Sequence, residues 1–186
     1  MNSLKFITNA TNKGKTIGTQ THEAIEHFIT TGKARVESEY PTEVINALSS
    51  FMLFRKEHPE CDLKLSETPL VHSVHNYNGT IDAPNPPDLY DWKSGEAKEL
   101  DKPKVYPEWL YQCSAYTHLW NDNYPEMPIR RAHIVALAKD KVAYNLYTME
   151  EEEINSCFNE VFLSCLRIHN FQRKNPCQKE SISTKS

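Results

Sequence analysis

An α/β fold with a mixed central β-sheet flanked by helices is predicted for this 186-residue chain. Three observations carry that prediction. Segments with helical periodicity come before, between and after strand-like segments, in the order helices, strands, helix, strands, helix. Two strand-like stretches in the middle are separated by Asn85-Pro86-Pro87, which is turn chemistry. An apolar content of 39% with 25% charged residues is enough for one core, hence one domain.

The elements follow in order. Residues 1–17 are polar and rich in Asn, Thr and Lys, and read as a flexible arm. Thr19 or Thr21 can cap a first helix with the stripe Ile25, Phe28 and Ile29, and Gly32 ends it. A second helix starts near Pro41, repeats Val44, Ile45, Leu48, Phe51 and Met52 at helical spacing, and stops at His58-Pro59. Asp62 to Val74 reads as a strand through Leu63, Leu65, Thr68 and Leu70. The next two strands contain Gly79-Thr80-Ile81-Asp82 and Leu89-Tyr90-Asp91-Trp92-Lys93. Ser94 to Lys104 is a charged loop. Val105 to Trp120 reads as a helix offering Leu110, Cys113, Ala115 and Leu119 for packing, interrupted near its start by Pro107. Arg131 to Ala138 and Val142 to Tyr147 are strands joined at Asp140-Lys141. Met149 to Phe171 is a long helix with Ile154, Phe158, Phe162, Cys165 and Ile168 inward. Residues 18–173 therefore form the domain, and 174–186 a disordered tail.

Several classes are disfavoured. No run approaches the ~18 apolar residues of a membrane span, and Met1-Asn2-Ser3-Leu4-Lys5 does not open a secretory leader. Five cysteines without C-x-x-C spacing favour reduced thiols in an intracellular protein over a disulfide framework. The net charge of −4 does not advertise nucleic-acid binding, which would need a local basic groove or a bound metal. His22 and His27 are five apart, so they miss the i, i+4 spacing of a zinc-protease helix. Glu150 to Glu153 suits a solvated helix N-terminus. No P-loop is present, so no built-in ATP motor is expected.

The chemistry concentrates at Asp82, Asp91 and Lys93. Side chains two apart on a strand share a face, so Asp91 and Lys93 point one way and Trp92 the other. If the two strands pair, Asp82 sits beside Asp91. Two carboxylates and an ammonium on one face repel and desolvate badly unless something uses them. A divalent metal between the aspartates, with the lysine beside it, satisfies all three.

Gly18-x-x-x-His22, Gly79-x-x-Asp82, Asp91-x-Lys93 and Gln112-x-x-x-Tyr116 stand in the order found in RecB-type nucleases of the PD-(D/E)xK superfamily, and the chain resembles them from about Gly18 to Tyr147. Similar proteins include phage-type exonucleases and the mitochondrial genome maintenance exonuclease. The resemblance implies a restriction-endonuclease-like core and a nuclease domain over 18–173. It also implies a Mg2+- or Mn2+-dependent deoxyribonuclease in recombination, repair or replication, acting as an exonuclease on DNA ends or single strands. Asp82 and Asp91 resemble the metal-binding acids, His22 the motif histidine near or on the metal, and the Trp92 backbone carbonyl a further oxygen ligand. Lys93 resembles the lysine that positions or activates the attacking water. Both roles stay open for it, since partial burial and a nearby ion each favour loss of its proton. Gln112 and Tyr116, four apart on one helix face, resemble the pair facing the lysine and the nucleic-acid backbone. Glu67 resembles an acid that supports the site or binds the metal.

An iron–sulfur cluster, which some relatives carry, is not expected: no cysteine precedes Gly18, and Cys157, Cys165 and Cys177 are widely spaced. DNA is the expected partner. Lys13, Lys15, Lys98, Lys102, Lys104, Arg130 and Arg131 can track phosphates, and Trp92, Tyr106, Trp109 or Tyr111 can stack bases, with core packing the preferred reading for Trp92. Few residues precede Gly18, so strand guidance would fall to a second copy or a recombination partner. Two competing functions remain: a nuclease-like nucleic-acid-binding or adaptor module that does not cut, and a hydrolase of another phosphate ester.

Overall fold

The computed structural model describes residues 3–34, 40–96 and 105–175, with side chains from residue 16 onward. Its elements are α1 (Ser3–Thr31), α2 (Thr42–Glu57), β1 (Thr68–Val71), β2 (Asn78–Ile81), β3 (Ala83–Asn85), β4 (Asp88–Gly95), α3 (Pro107–Asn123), β5 (Arg131–Ala138), β6 (Tyr144–Met149), α4 (Glu151–Ser156), a π-helical segment (Cys157–Phe162) and α5 (Leu163–Lys174). Four strands form one sheet in the order β3-β4-β5-β6. The pair β4–β5 is parallel and the other two pairs are antiparallel, so the sheet is mixed, as predicted. Strands β1 and β2 form a separate antiparallel ribbon. No helix among the described residues is long and apolar enough to cross a membrane.

The parallel pair is covered on both faces, and period-two alternation divides its side chains between two cores. One core takes Tyr90 and Trp92 of β4 and Val135 and Leu137 of β5, with Ala24, Ile25, Leu48, Phe51 and Phe54 from α1 and α2. The other takes Leu89, Ala132 and Ile134, with Ile81, Cys113, Trp120 and Ile154 from β2, α3 and α4. The Trp92 ring meets Phe51 edge-on at 5.2 Å between centroids and Phe54 at 5.9 Å. Such pairs add ~0.5–1.5 kcal/mol each beyond burial. Trp92 is thus a core anchor, and it locks the strand so that Asp91 and Lys93 face α3.

Some elements differ from expectation. Helix α1 begins at Ser3, so the segment read as an arm continues the helix, and Thr21 lies inside it. The Thr21 hydroxyl donates to the Ile17 carbonyl at 2.8 Å, a back-bond to the preceding turn and not a cap. The strand expected from Asp62 shrinks to Thr68–Val71 because Glu67 takes a positive φ of 46°, which ends extended pairing. Pro107 does not interrupt its helix: it occupies the first turn, where its missing N–H is not needed. The last helix carries Ile154 and Phe158 inward, but Cys165 is exposed and Ile168 is 59% exposed, because α5 has no buried residue. Residues 97–104, with Lys98, Lys102 and Lys104, and residues 176–186 of the expected tail lie outside the described residues. So do the side chains of Lys13 and Lys15.

Candidate active site

Asp82 is the one residue between β2 and β3, where the chain leaves the ribbon and enters the main sheet. Strand β3 pairs Ala83 with Tyr90, so one step further along the register Asp82 faces Asp91. Asp82 is buried, and its Oδ2 accepts the Trp92 backbone N–H at 2.8 Å. Its own carbonyl accepts the Glu67 N–H at 3.0 Å. That bond holds Glu67 in its left-handed conformation and places it beside the aspartate. Positive φ on a glutamate is costly, and such residues gather at functional sites.

His22 completes this corner from α1. Its Nε2 lies 3.0 Å from the Trp92 carbonyl oxygen. A carbonyl only accepts, so Nε2 carries the proton. The other nitrogen, Nδ1, lies 3.5 Å from Glu67 Oε1 and 3.5 Å from Asp82 Oδ1. Burial works against charge on this imidazole, but the contacts and charges of Asp82 and Glu67 outweigh it and raise its pKa from 6.5 to about 10. The corner therefore has a strong appetite for a cation.

His22, Glu67 and Asp82 each offer a ligand atom, and these atoms lie within 4.8 Å of one another. The donor chemistry fits a divalent ion. Carboxylate oxygens suit Mg2+ and Mn2+, and an imidazole nitrogen adds affinity for the transition metal. A histidine ligand usually donates its other N–H to a carbonyl or carboxylate, which is what Nε2 does with Trp92. The Trp92 carbonyl, expected as a ligand, here accepts the His22 Nε2 proton, and Glu67 stands within the cluster.

Asp91 is not one of the three convergent residues. It is fully buried, with Oδ2 in an ion pair 2.6 Å from Lys93 Nζ, and neither carboxylate oxygen has a partner in hydrogen-bond geometry among the described residues. Burial and the Asp82 charge push its carboxyl up to about 7, against the pull of Lys93. An orphaned buried oxygen next to Asp82 is a further vacant acceptor for a cation. For Lys93, burial opposes the charge, but Asp91 outweighs it and raises the pKa above its ordinary value. The Asp91 carboxylate therefore favours the ammonium form.

From Lys93 a line of hydrogen bonds runs outward along α3. Lys93 Nζ donates to Gln112 Oε1 at 2.8 Å, and Gln112 Nε2 donates to the Tyr116 hydroxyl at 2.8 Å. Gly79 makes room for this wall. A Cβ there would stand 2.7 Å from Tyr116 Cε1. That constraint went unseen in the sequence, where Gly79 was only a motif letter. Gly18 is different: a Cβ there would meet only Ser94 Oγ, at 3.8 Å.

The His22 corner opens into a cleft of about 470 Å³ lined by Gly18, Thr19, His22, Glu23, Glu26 and Glu67. Its carboxylates favour cations over phosphate. Of the expected phosphate contacts, Arg131 is held by Asp88 through two bonds of 2.7 and 3.1 Å, and Arg130 contacts Glu151 at 3.2 Å. Tyr106 is exposed and Trp109 packs on the second core, their rings edge to face at 4.8 Å.

No family model matches the chain, and no curated protein does. Among solved structures, it is similar to a candidate exonuclease from Eubacterium rectale, with 13% identity, 80% of each chain covered and a TM-score of 0.45. At that distance the likeness carries no functional weight, and the functional reading rests on the side chains themselves.

Proposed function

We propose that the protein is a Mg2+- or Mn2+-dependent deoxyribonuclease of the RecB-type PD-(D/E)xK superfamily, built on a restriction-endonuclease-like core. In this reading it hydrolyses phosphodiester bonds as an exonuclease on DNA ends or single strands, in recombination, repair or replication. One observation carries the reading. A carboxylate–imidazole cluster (His22, Glu67, Asp82) stands next to a buried acid–lysine pair (Asp91, Lys93) that continues into Gln112 and Tyr116.

His22, Glu67 and Asp82 would hold the ion, with Asp91 Oδ1 as a further ligand. A bound ion supplies positive charge for a phosphoryl oxygen and acidifies a bound water. The chain's own groups do the rest. Lys93 Nζ donates to Gln112 and pairs with the Asp91 charge, and its remaining donor capacity is open to a phosphate oxygen or the attacking water. In this reading Lys93 positions or activates the attacking water and neutralises charge on the phosphate, with the Asp91 carboxylate favouring its cationic form. Trp92 N–H and C=O hold Asp82 and His22 at fixed angles from the rigid side of the strand.

The test is purified protein with linear, circular and single-stranded DNA in Mg2+, Mn2+ or EDTA. Linear or single-stranded DNA should be degraded only with metal, and Asp91→Asn and Lys93→Met should lose the activity while keeping their fold. Cleavage retained by folded Asp91→Asn would overturn the proposal. A second reading, a nucleic-acid-binding or adaptor module that does not cut, is favoured by the balanced Asp91–Lys93 pair standing outside the metal trio. Oligonucleotide binding with no cleavage under any metal would select it.

A further inference from the structure

Beyond the hydrolytic centre, Gln112 and Tyr116 also form one wall of a second, more apolar groove of about 560 Å³. Its other walls are Tyr77 ahead of β2, Tyr111 on α3 and Phe162 at the end of the π-helical segment. The rings are held in place. The Tyr77 hydroxyl donates to the Ala115 carbonyl at 2.8 Å, and its ring meets Phe162 edge-on at 4.8 Å. Phe162 ends a column of near-parallel rings: His118 stacks on Phe158 at 3.7 Å and 10°, and Phe158 on Phe162 at 5.5 Å and 17°. Wide π-helical turns are often retained where they serve a site.

The occupant follows from chemistry and continuity. The groove falls within the ~300–1,000 Å³ range of small-molecule pockets, a size for unstacked bases rather than a duplex. Aromatic walls bind any base through its π-face. Glu108 also lines the groove and repels phosphate, whereas Lys93, one hydrogen bond from Gln112, attracts it. We infer that the groove takes the unpaired base next to the phosphodiester held at Lys93, so that the substrate strand lies with its base between Tyr111, Tyr116 and Phe162 and its backbone along Lys93. This rests on the phosphodiesterase reading for the position of the phosphate, but base binding in the groove is testable without cleavage.

The experiment uses a fluorescent single-stranded oligonucleotide, intact or carrying one abasic position, read by anisotropy in EDTA and by cleavage in Mn2+. Phe162→Leu should weaken binding of the intact strand about tenfold, the scale of one stacked base. An abasic position walked along the strand should weaken binding to the parent by a similar factor at one position, and should have no further effect on Phe162→Leu. Phe162→Trp should restore both. Cleavage that proceeds in Phe162→Leu with the parent's abasic sensitivity overturns the groove and leaves the nuclease reading standing. Loss of binding in Phe162→Leu with no cleavage by any form overturns the nuclease reading and leaves the groove standing. Parental oligonucleotide affinity in Phe162→Leu, with self-association lost by light scattering, assigns the groove to a second copy and overturns the inference.

Discussion

Replacing Gly79 by alanine isolates the contact on which the Gln112–Tyr116 wall depends. The new Cβ would lie 2.7 Å from Tyr116 Cε1, 3.3 Å from Cδ1 and 3.4 Å from Leu119 Cδ2. Carbon atoms settle at roughly 3.5–4.0 Å, so the ring must retreat by about 0.8 Å or more. It cannot do so freely, because its hydroxyl is bonded to Gln112, which holds Lys93. Overpacking of this kind costs ~1–3 kcal/mol. For a chain of this size that lowers Tm by roughly 2–4 °C per kcal/mol, so a fall of about 2–12 °C is expected by circular dichroism. The double variant Gly79→Ala/Tyr116→Ala removes the clash, and its loss should be smaller than the sum of the single losses, a favourable coupling of ~1 kcal/mol or more. DNA cleavage by Gly79→Ala should fall as well, since Gln112 shifts from Lys93. A single variant that melts within about 1 °C of the parent, or strict additivity in the cycle, would refute the steric reasoning.

Gly18→Ala should act in the opposite direction: its Cβ meets nothing closer than 3.8 Å inside a helix, so the melt should show a gain of ~0.5–1 kcal/mol. Lys93→Met removes the ion-pair partner of the buried Asp91 carboxylate, and urea unfolding in EDTA at mildly alkaline pH, where Asp91 is ionised in the parent, should show a loss of ~3–5 kcal/mol. Adding Asp91→Asn to it should recover most of that loss while leaving the protein inactive. The pH dependence has a definite sign. Asp91 titrates higher folded, at about 7, than its ordinary 3.8, so its protonation contributes stability that is fully present below pH 4 and is lost as pH rises through 7. The Lys93→Met defect should therefore shrink on acidification across that window. Mn2+ at about 100 times its dissociation constant should stabilise the parent by ~2.7 kcal/mol, seen as a rise in Tm, and His22→Ala or Asp82→Asn should remove the rise.

Much of the central site was legible because it depends on strand geometry. The alternation Asp91, Trp92, Lys93 determines which face each residue takes, and the Asn85-Pro86-Pro87 turn places Asp82 across from Asp91. Strand β5 was readable to its ends because a strand buried on both faces is continuously apolar. The helical i, i+4 step did the same for Gln112 and Tyr116. Glu67 was harder. Its position depends on a backbone kink, and the only clue was a change of phase, with Leu63 and Leu65 in one register and Thr68 and Leu70 in the other. The last helix misled because periodicity reports an apolar stripe without reporting whether anything covers it: Ile168 and Phe171 are 59% and 68% exposed. Tyr116 against Gly79 could not be seen at all, since that contact joins a helix and a ribbon 37 residues apart in sequence.

The parallel pairing of β4 with β5 governs when the protein can become active during its synthesis. Parallel neighbours need a crossover, and here it runs from Gly95 through α3 to Arg131. Until that loop closes, β4 lacks its central neighbour. Long-range closure of this kind is slow relative to local helix formation. A ribosome-bound chain that has exposed His22, Glu67 and Asp82 would therefore still lack the strand that holds Asp91 and Lys93 in register. On the proposed function, competence would arrive in one late step, with the docking of β5, and a nascent chain would be inactive until then.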